Sequence, residues 1–203
     1  MMKHRTTIAV LFLLALCCTV VSAVAQDKPK APAAPSMDEA MKAMEKAGTP
    51  GAEQKRLARL AGDWTFENTM WMDPSQPPMK STGTMHGEIL MGGRYVEHTW
   101  KGNMMGQPFE GRGTDGYDNV AKHYVSSWLD NMSTGIMYQI GTCDPAGNVC
   151  NYSGDMWDPM SGQKSTTRST ITWMGDNTFK NEMFGPGPDG KEVKWMEIVA
   201  KKK

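Results

Sequence analysis

Trp64-Thr65-Phe66-Glu67-Asn68-Thr69-Met70-Trp71 decides the fold. Trp64, Phe66 and Met70 fall on alternate positions, with Asn68 among them; Thr65, Glu67 and Thr69 point the other way. A repeat of two marks a strand with one covered face. The same repeat runs on to the C-terminal tail. It predicts strands near Trp64–Trp71, Ser81–Leu90, Arg94–Lys101, Phe109–Asp118, Lys122–Leu129, Gly135–Cys143, Val149–Trp157, Ser165–Met174, Thr178–Phe184 and Val193–Ala200. Turn-forming groups separate them, among them Asp73-Pro74, Gly92-Gly93, Gly102-Asn103, Asp118-Asn119, Asp130-Asn131, Asp158-Pro159 and Gly175-Asp176-Asn177. Strands that meander without intervening helices cannot form a parallel sheet, which needs crossover connections. The expected fold is all-β, an up-and-down antiparallel barrel of about ten strands, because closure removes the sheet edges that invite aggregation. A twisted open sheet or a sandwich would satisfy the same pattern.

Upstream of Trp64 the signals are helical. Ser36 stands three residues before Glu39 as a capping box, Met37, Met41 and Met44 recur at helical spacing, and Gly48 stops the helix. Thr49-Pro50 predicts the start of a second helix, with Leu57, Leu60 and Ala61 as its apolar stripe and Gly62 as its end. The barrel domain is therefore expected over residues 63–203, behind a helical segment over 36–62.

Residues 26–35 carry Pro29, Pro32 and Pro35 among Lys and Ala, the composition of an extended tether. Residues 1–25 read as a secretory leader. Lys3, His4 and Arg5 precede an apolar run from Ile8 to Val21, and Ala23-Val24-Ala25 offers small residues for cleavage. The run is short for a membrane span. An uncleaved amphipathic anchor is one alternative. A lipoprotein is another, since Cys17 and Cys18 lie in the run, but neither follows the small residue that lipid attachment needs. The mature protein is expected to be periplasmic or secreted, with no membrane span.

The chain has 22 basic and 22 acidic residues; losing Lys3 and Arg5 with the leader leaves 20 against 22, a net charge of −2. Without a basic excess, nucleic acid and anionic membranes are not expected partners. Cys143 and Cys150 are the cysteines left after the leader. An oxidising compartment favours joining them across the turn Asp144-Pro145-Ala146-Gly147-Asn148-Val149. A thioredoxin-type dithiol would need two intervening residues rather than these six.

The aromatic faces also carry polar groups. Val96 and Trp100 share a face with Arg94 and His98, Tyr124 and Trp128 share one with Ser126, and Ile171 and Trp173 share one with Thr167 and Ser169. A purely structural core avoids burying such groups without partners. A partly polar lumen tolerates them, because water or a ligand can satisfy them. The candidate pocket lining is Trp64, Phe66, Arg94, His98, Trp100, Tyr124 and Trp128. The bland alternative is that these faces are half-exposed at the barrel ends.

Leu60-Ala61-Gly62-Asp63-Trp64 looks like the Gly-x-Trp opening of lipocalin-like barrels. Trp71-Met72-Asp73-Pro74, Leu90-Met91-Gly92-Gly93-Arg94-Tyr95-Val96, Gly116-Tyr117-Asp118, Trp128-Leu129-Asp130 and Gly185-Pro186-Gly187-Pro188-Asp189-Gly190 follow in order. Over about residues 54 to 200 this series resembles the bacterial family known as domain of unknown function 1579. The resemblance implies a calycin-like barrel, similar to those that hold apolar ligands or haem, and brings no established reaction. The leader, the tether and the cysteine pair look like additions to the common pattern.

No nucleophile elbow, phosphate loop or His-Glu-x-x-His is present, so no catalytic residue and no metal ligand is assigned. His98 and His123 are the conceivable haem or metal ligands, with His86 a weaker third; their spacing matches no zinc pattern, and no cofactor is identified. An Arg112–Asp115 or Glu110–Arg112 pair reads as a structural ion pair. Methionine is abundant, 19 in the chain and 17 once Met1 and Met2 are removed, but dispersed, which suits flexible core filling better than copper handling. Three functions remain open: a binder of a small, largely apolar molecule, an interaction module with a filled barrel, and an enzyme acting on a small hydrophobic substrate.

Overall fold

A computed structural model describes residues 34–203 apart from 74, 160 and 188; the leader and most of the tether lie outside the described residues. Ten strands follow two short helices. They are β1 (Gly62–Met70), β2 (Met79–Leu90), β3 (Tyr95–Met104), β4 (Gln107–Asp118), β5 (His123–Asp130), β6 (Met137–Cys143), β7 (Val149–Trp157), β8 (Lys164–Trp173), β9 (Thr178–Pro186) and β10 (Glu192–Lys202). Each strand pairs antiparallel with its sequence neighbours, and β1 also pairs with β10, placing Trp64 between Met85 and Lys202. The sheet is a closed up-and-down barrel, so the open-sheet and sandwich alternatives fall away.

Sequence and ladder agree for a simple reason. On β1 the buried positions alternate with less buried ones, as the period-two pattern requires. The β2–β3 reversal shows the turn chemistry: Gly92 and Gly93 take φ of 66° and 89°, the left-handed region where a β-carbon is costly. Gly93 and Arg94 both donate their backbone N–H to Leu90 O there.

Helix α1 (Met37–Gly48) begins with the expected capping box, Ser36 accepting from Glu39 N while the Glu39 carboxylate accepts from Ser36 N at 2.8 Å. Helix α2 (Ala52–Leu57) corrects the second helix start. Gly51, not Thr49, precedes it, and Gln54 Oε1 accepts from Gly51 N at 2.7 Å. Thr49 belongs to the end of α1 instead, where its hydroxyl donates to Glu45 O at 2.6 Å. A 3-10 turn, Ala58–Leu60, continues α2 into β1.

The α2 segment lies against one end of the barrel, beside β3 and β4. Leu57 and Leu60 enter the core cluster with Trp64, and Gln54 donates to Tyr117 O and Asn119 Oδ1, each at 3.1 Å. Arg56 and Arg59 donate to backbone oxygens of Pro145 and Gly175 in neighbouring turns. Among the described residues both helices sit at this end, since Asn119 also donates to Ala47 O and Thr49 O. No described helix is long and apolar enough to cross a membrane.

Cys143 and Cys150 face each other across the start of the β6–β7 turn and form a disulfide. The turn also closes through Asp144, whose carboxylate accepts from Asn148 N and Val149 N. These backbone donors, Val149 first, hold the Asp144 carboxyl below its ordinary value.

Candidate functional site in the barrel interior

The interior has two unlike halves. Toward the helices it is filled. Trp64 is fully buried, and its indole N–H donates to Leu60 O at 3.0 Å. Phe179 and Trp173 meet it edge-on, at 5.3 and 6.1 Å between ring centres, and the Arg59 guanidinium lies 4.0 Å over Trp173. Phe66, Met85, Val96, Trp100, Tyr124 and Tyr152 complete the packing. Burial drives the Tyr152 hydroxyl far above its ordinary pKa, reinforced by the nearby Asp115 carboxylate.

Glycines make this filling fit. A β-carbon at Gly113 would collide with the His98 ring, one at Gly111 with Trp128, and one at Gly141 with Tyr152. The neighbouring strand thus gives each ring a slot across the barrel wall.

His98 marks the boundary between the halves. It is buried, Trp100 Nε1 donates to its Nδ1 at 2.7 Å, and its Nε2 lies 3.0 Å from the buried Asp115 carboxylate. An indole nitrogen only donates, so Nδ1 must accept and Nε2 must carry the proton that Asp115 accepts. Both ring nitrogens are engaged, which leaves neither free as a ligand or a base. Asp115 therefore pairs with His98 rather than with Arg112, which lies 3.9 Å from Glu110 on the exposed face. His86 sits outside, 2.8 Å from Asp63, and His123 is half-buried at the start of β5. Among the described residues no group of three His, Cys, Asp or Glu side chains could hold a metal ion.

Beyond His98 the wall turns polar. Asn68, Gln139, Thr167 and Ser169 are buried on inward positions. Gln139 bridges Thr167 Oγ1 at 3.4 Å and the Ser169 hydroxyl at 3.3 Å. Asn68 donates its amide N–H to Ser81 Oγ at 3.4 Å, which leaves Asn68 Oδ1 buried without a partner. Asn181 Oδ1 is buried and unpartnered too. Register brings these two amides together: Asn68 and Asn181 each pair with Ile198 of β10, from opposite sides. Ile171, Met183, Met196 and Ile198 point inward at this level, yet all remain half-buried.

The wall also parts in this half. Strand β7 pairs with β6 only over Cys150–Ser153, and β8 with β9 only over Arg168–Trp173. The β7–β8 hairpin beyond is laddered only to itself. A groove of about 560 Å³ follows the β8–β9 parting, lined by the inward Ser165 and Thr167 and the outward Thr166, Arg168 and Glu192. Arg168 clamps Glu192 there with two hydrogen bonds, at 3.0 and 2.8 Å. A second groove, of about 670 Å³, lies outside the barrel between α1 and the β4–β5 turn.

Of the seven residues read as pocket lining, six come together: Trp64, Phe66, Trp100 and Tyr124 in the packed half, with His98 and Trp128 at its border. Arg94 does not join them. It precedes β3, is exposed, and donates to Met91 O in its own turn. Alternation from Val96 places it inward only if the strand reaches back that far, and the Gly92–Gly93 turn ends the strand first. Gln139 and Asn181 went unread. Their signal is Met137-x-Gln139-x-Gly141 and Phe179-x-Asn181-x-Met183, each an amide at an inward position of a strand.

A family model for proteins of unknown function, DUF1579, matches residues 49–202. The chain belongs to the DUF1579 family. No curated protein matches it. Among solved structures, the DUF1579 barrel is similar to Rv2717c from M. tuberculosis, with a TM-score of 0.57 and 12% identity over 76% of this chain and 99% of that one. It also matches a de novo designed fluorescence-activating β barrel, with a TM-score of 0.41 and 14% identity over 72% and 96% of the two chains. At such identities the first likeness speaks for the fold alone.

Proposed function

We propose that this DUF1579 protein is exported, loses its leader near Ala25, and binds a small, largely apolar molecule in the half of the barrel away from the helices. One observation carries the reading. On that half of the inner wall Asn68 is 4% exposed with an unpartnered oxygen, while the apolar Met196 and Ile198 on the next strand, and Met183 beyond them, keep accessible surface. A solid core buries its apolar side chains and pairs its polar ones. A ligand seat does neither until it is filled. The aromatic group of Phe66, Trp100 and Trp128 forms the floor of the seat, and Arg94 has no part in it. The parting between β8 and β9 offers a way in. The disulfide suits an oxidising compartment.

An interaction module is the second reading, favoured by Leu129, Tyr138 and Ile140, which stand exposed on the outside of β5 and β6, and by the exposed Ile136 just before β6. Catalysis has less support, because the buried His98–Asp115 pair is closed on Trp100.

Nile red, an uncharged apolar dye, separates these readings. Binding with a blue-shifted emission is expected, and Ser169→Trp, which fills the seat, is expected to abolish it while circular dichroism stays unchanged. Dye binding that survives this filling but disappears with Tyr138→Glu would move the site to the outer wall and overturn the proposal.

A further inference from the structure

We infer that the molecule held in the barrel carries no negative charge and donates hydrogen bonds to the amide oxygens of Asn68 and Asn181. The inference rests on the ligand-binding reading above and adds its chemical class. Two buried acceptors without donors flank Ile198 on one level of the inner wall. Two strand spacings separate them, about 10 Å, a span that one small molecule can bridge. A buried acceptor left unpaired is costly, so a ligand that donates to it removes that cost on binding.

Charge points the same way. Asp115 and Asp130 occupy inward positions of β4 and β5, hydrogen-bonded to His98 and to Trp128 Nε1. By strand alternation, no Lys or Arg among the described residues falls on an inward position of this half. Lys194, the nearest by sequence, is turned outward to Glu182 and Glu197. A carboxylate or phosphate entering here would meet the Asp130 carboxylate and no cation, and would lose its hydration without compensation. An alcohol or a primary amide on an apolar body suits both the oxygens and the half-buried Ile198 and Met183.

Decanamide and decanoate, matched in chain length, test the inference by competition with Nile red at neutral pH. Decanamide is expected to displace the dye, and decanoate to do so at least about tenfold more weakly. Asn181→Leu, its own dye affinity measured first, is expected to weaken decanamide about three- to tenfold, the worth of one hydrogen bond. If decanoate competes as well as decanamide, or Asn181→Leu leaves decanamide binding as it was, the chemical class is wrong and the binding seat stands. If the unaltered protein takes up no Nile red, the seat itself fails, and the class with it.

Discussion

The two halves of one barrel are built from the same ten strands and obey opposite rules. On β1 and β3, toward the helices, inward positions are buried and the rings interlock with glycines on the next strand. On β10 the run Lys194–Val199 is half-buried whichever way it points. The helix end has a plug, Leu57 and Leu60 over Trp64, and a disulfide at Cys143–Cys150. The other half has buried amides without partners and strands that part. One half holds the fold; the other is free to hold something else, as expected where stability and function compete for the same interior.

The largest effect should come from breaking the filled half. Trp64→Ala removes a fully buried indole, its hydrogen bond to Leu60 O and two ring contacts. A loss of about 3–5 kcal/mol is expected in urea unfolding. A loss under about 1 kcal/mol would mean that this half is not the filled one. Next comes the disulfide. Its eight-residue loop, Cys143 to Cys150 inclusive, corresponds to about 2.5 kcal/mol in the chain-entropy treatment. Cys143→Ala with Cys150→Ala should lower stability by that order.

The polar half should respond with the opposite sign. Asn181→Leu replaces an unpartnered buried oxygen with an apolar group of similar size. Thermal unfolding should show a gain of about 1 kcal/mol, the usual cost of an unsatisfied polar group. A loss of stability would instead mark Asn181 as part of the structural frame.

This contrast also explains what could be read in advance. Strand number and order were legible because most strands have one covered face and each reversal carries Gly, Asn, Asp or Pro; Val149–Trp157 is found with the predicted bounds, whereas the β3–β4 reversal falls at Met105-Gly106 and the expected turn residues Gly102-Asn103 pair within the ladder, because glycine and asparagine mark a turn without fixing which residues make it. The second helix was misplaced because Thr49 looks the same whether it opens one helix or closes another. Arg94 was misplaced because alternation says nothing about where a strand begins. The seat was only partly legible. Asn68, Ser126 and Ser169 stood out beside aromatic residues, but the meeting of Asn68 and Asn181 depends on β1 and β9 both flanking β10. Closure creates that neighbourhood, across more than a hundred residues of chain, and no local pattern contains it.

The smallest expected effect is electrostatic and lies on the outer wall of the less tightly packed half. Burial works against the Glu182 carboxylate, but hydrogen bonds from Lys180 and Lys194, each at 3.0 Å, outweigh it and hold its pKa below the ordinary glutamate value. A carboxyl depressed in the folded state stabilises the fold above its unfolded pKa and loses that contribution as pH falls through the folded pKa. The cluster is partly exposed and screened, so its share is under about 1 kcal/mol. Glu182→Gln should therefore flatten the stability profile between neutral pH and the acid limb, and the difference from the unaltered protein should vanish once Glu182 is protonated. Trp64→Ala, by contrast, should shift the whole profile down without changing its slope. A Glu182→Gln profile merely parallel to the unaltered one would show that the Glu182 ion pairs, of which Lys194–Glu182 spans β10 to β9, do not stabilise the barrel where it is loosest.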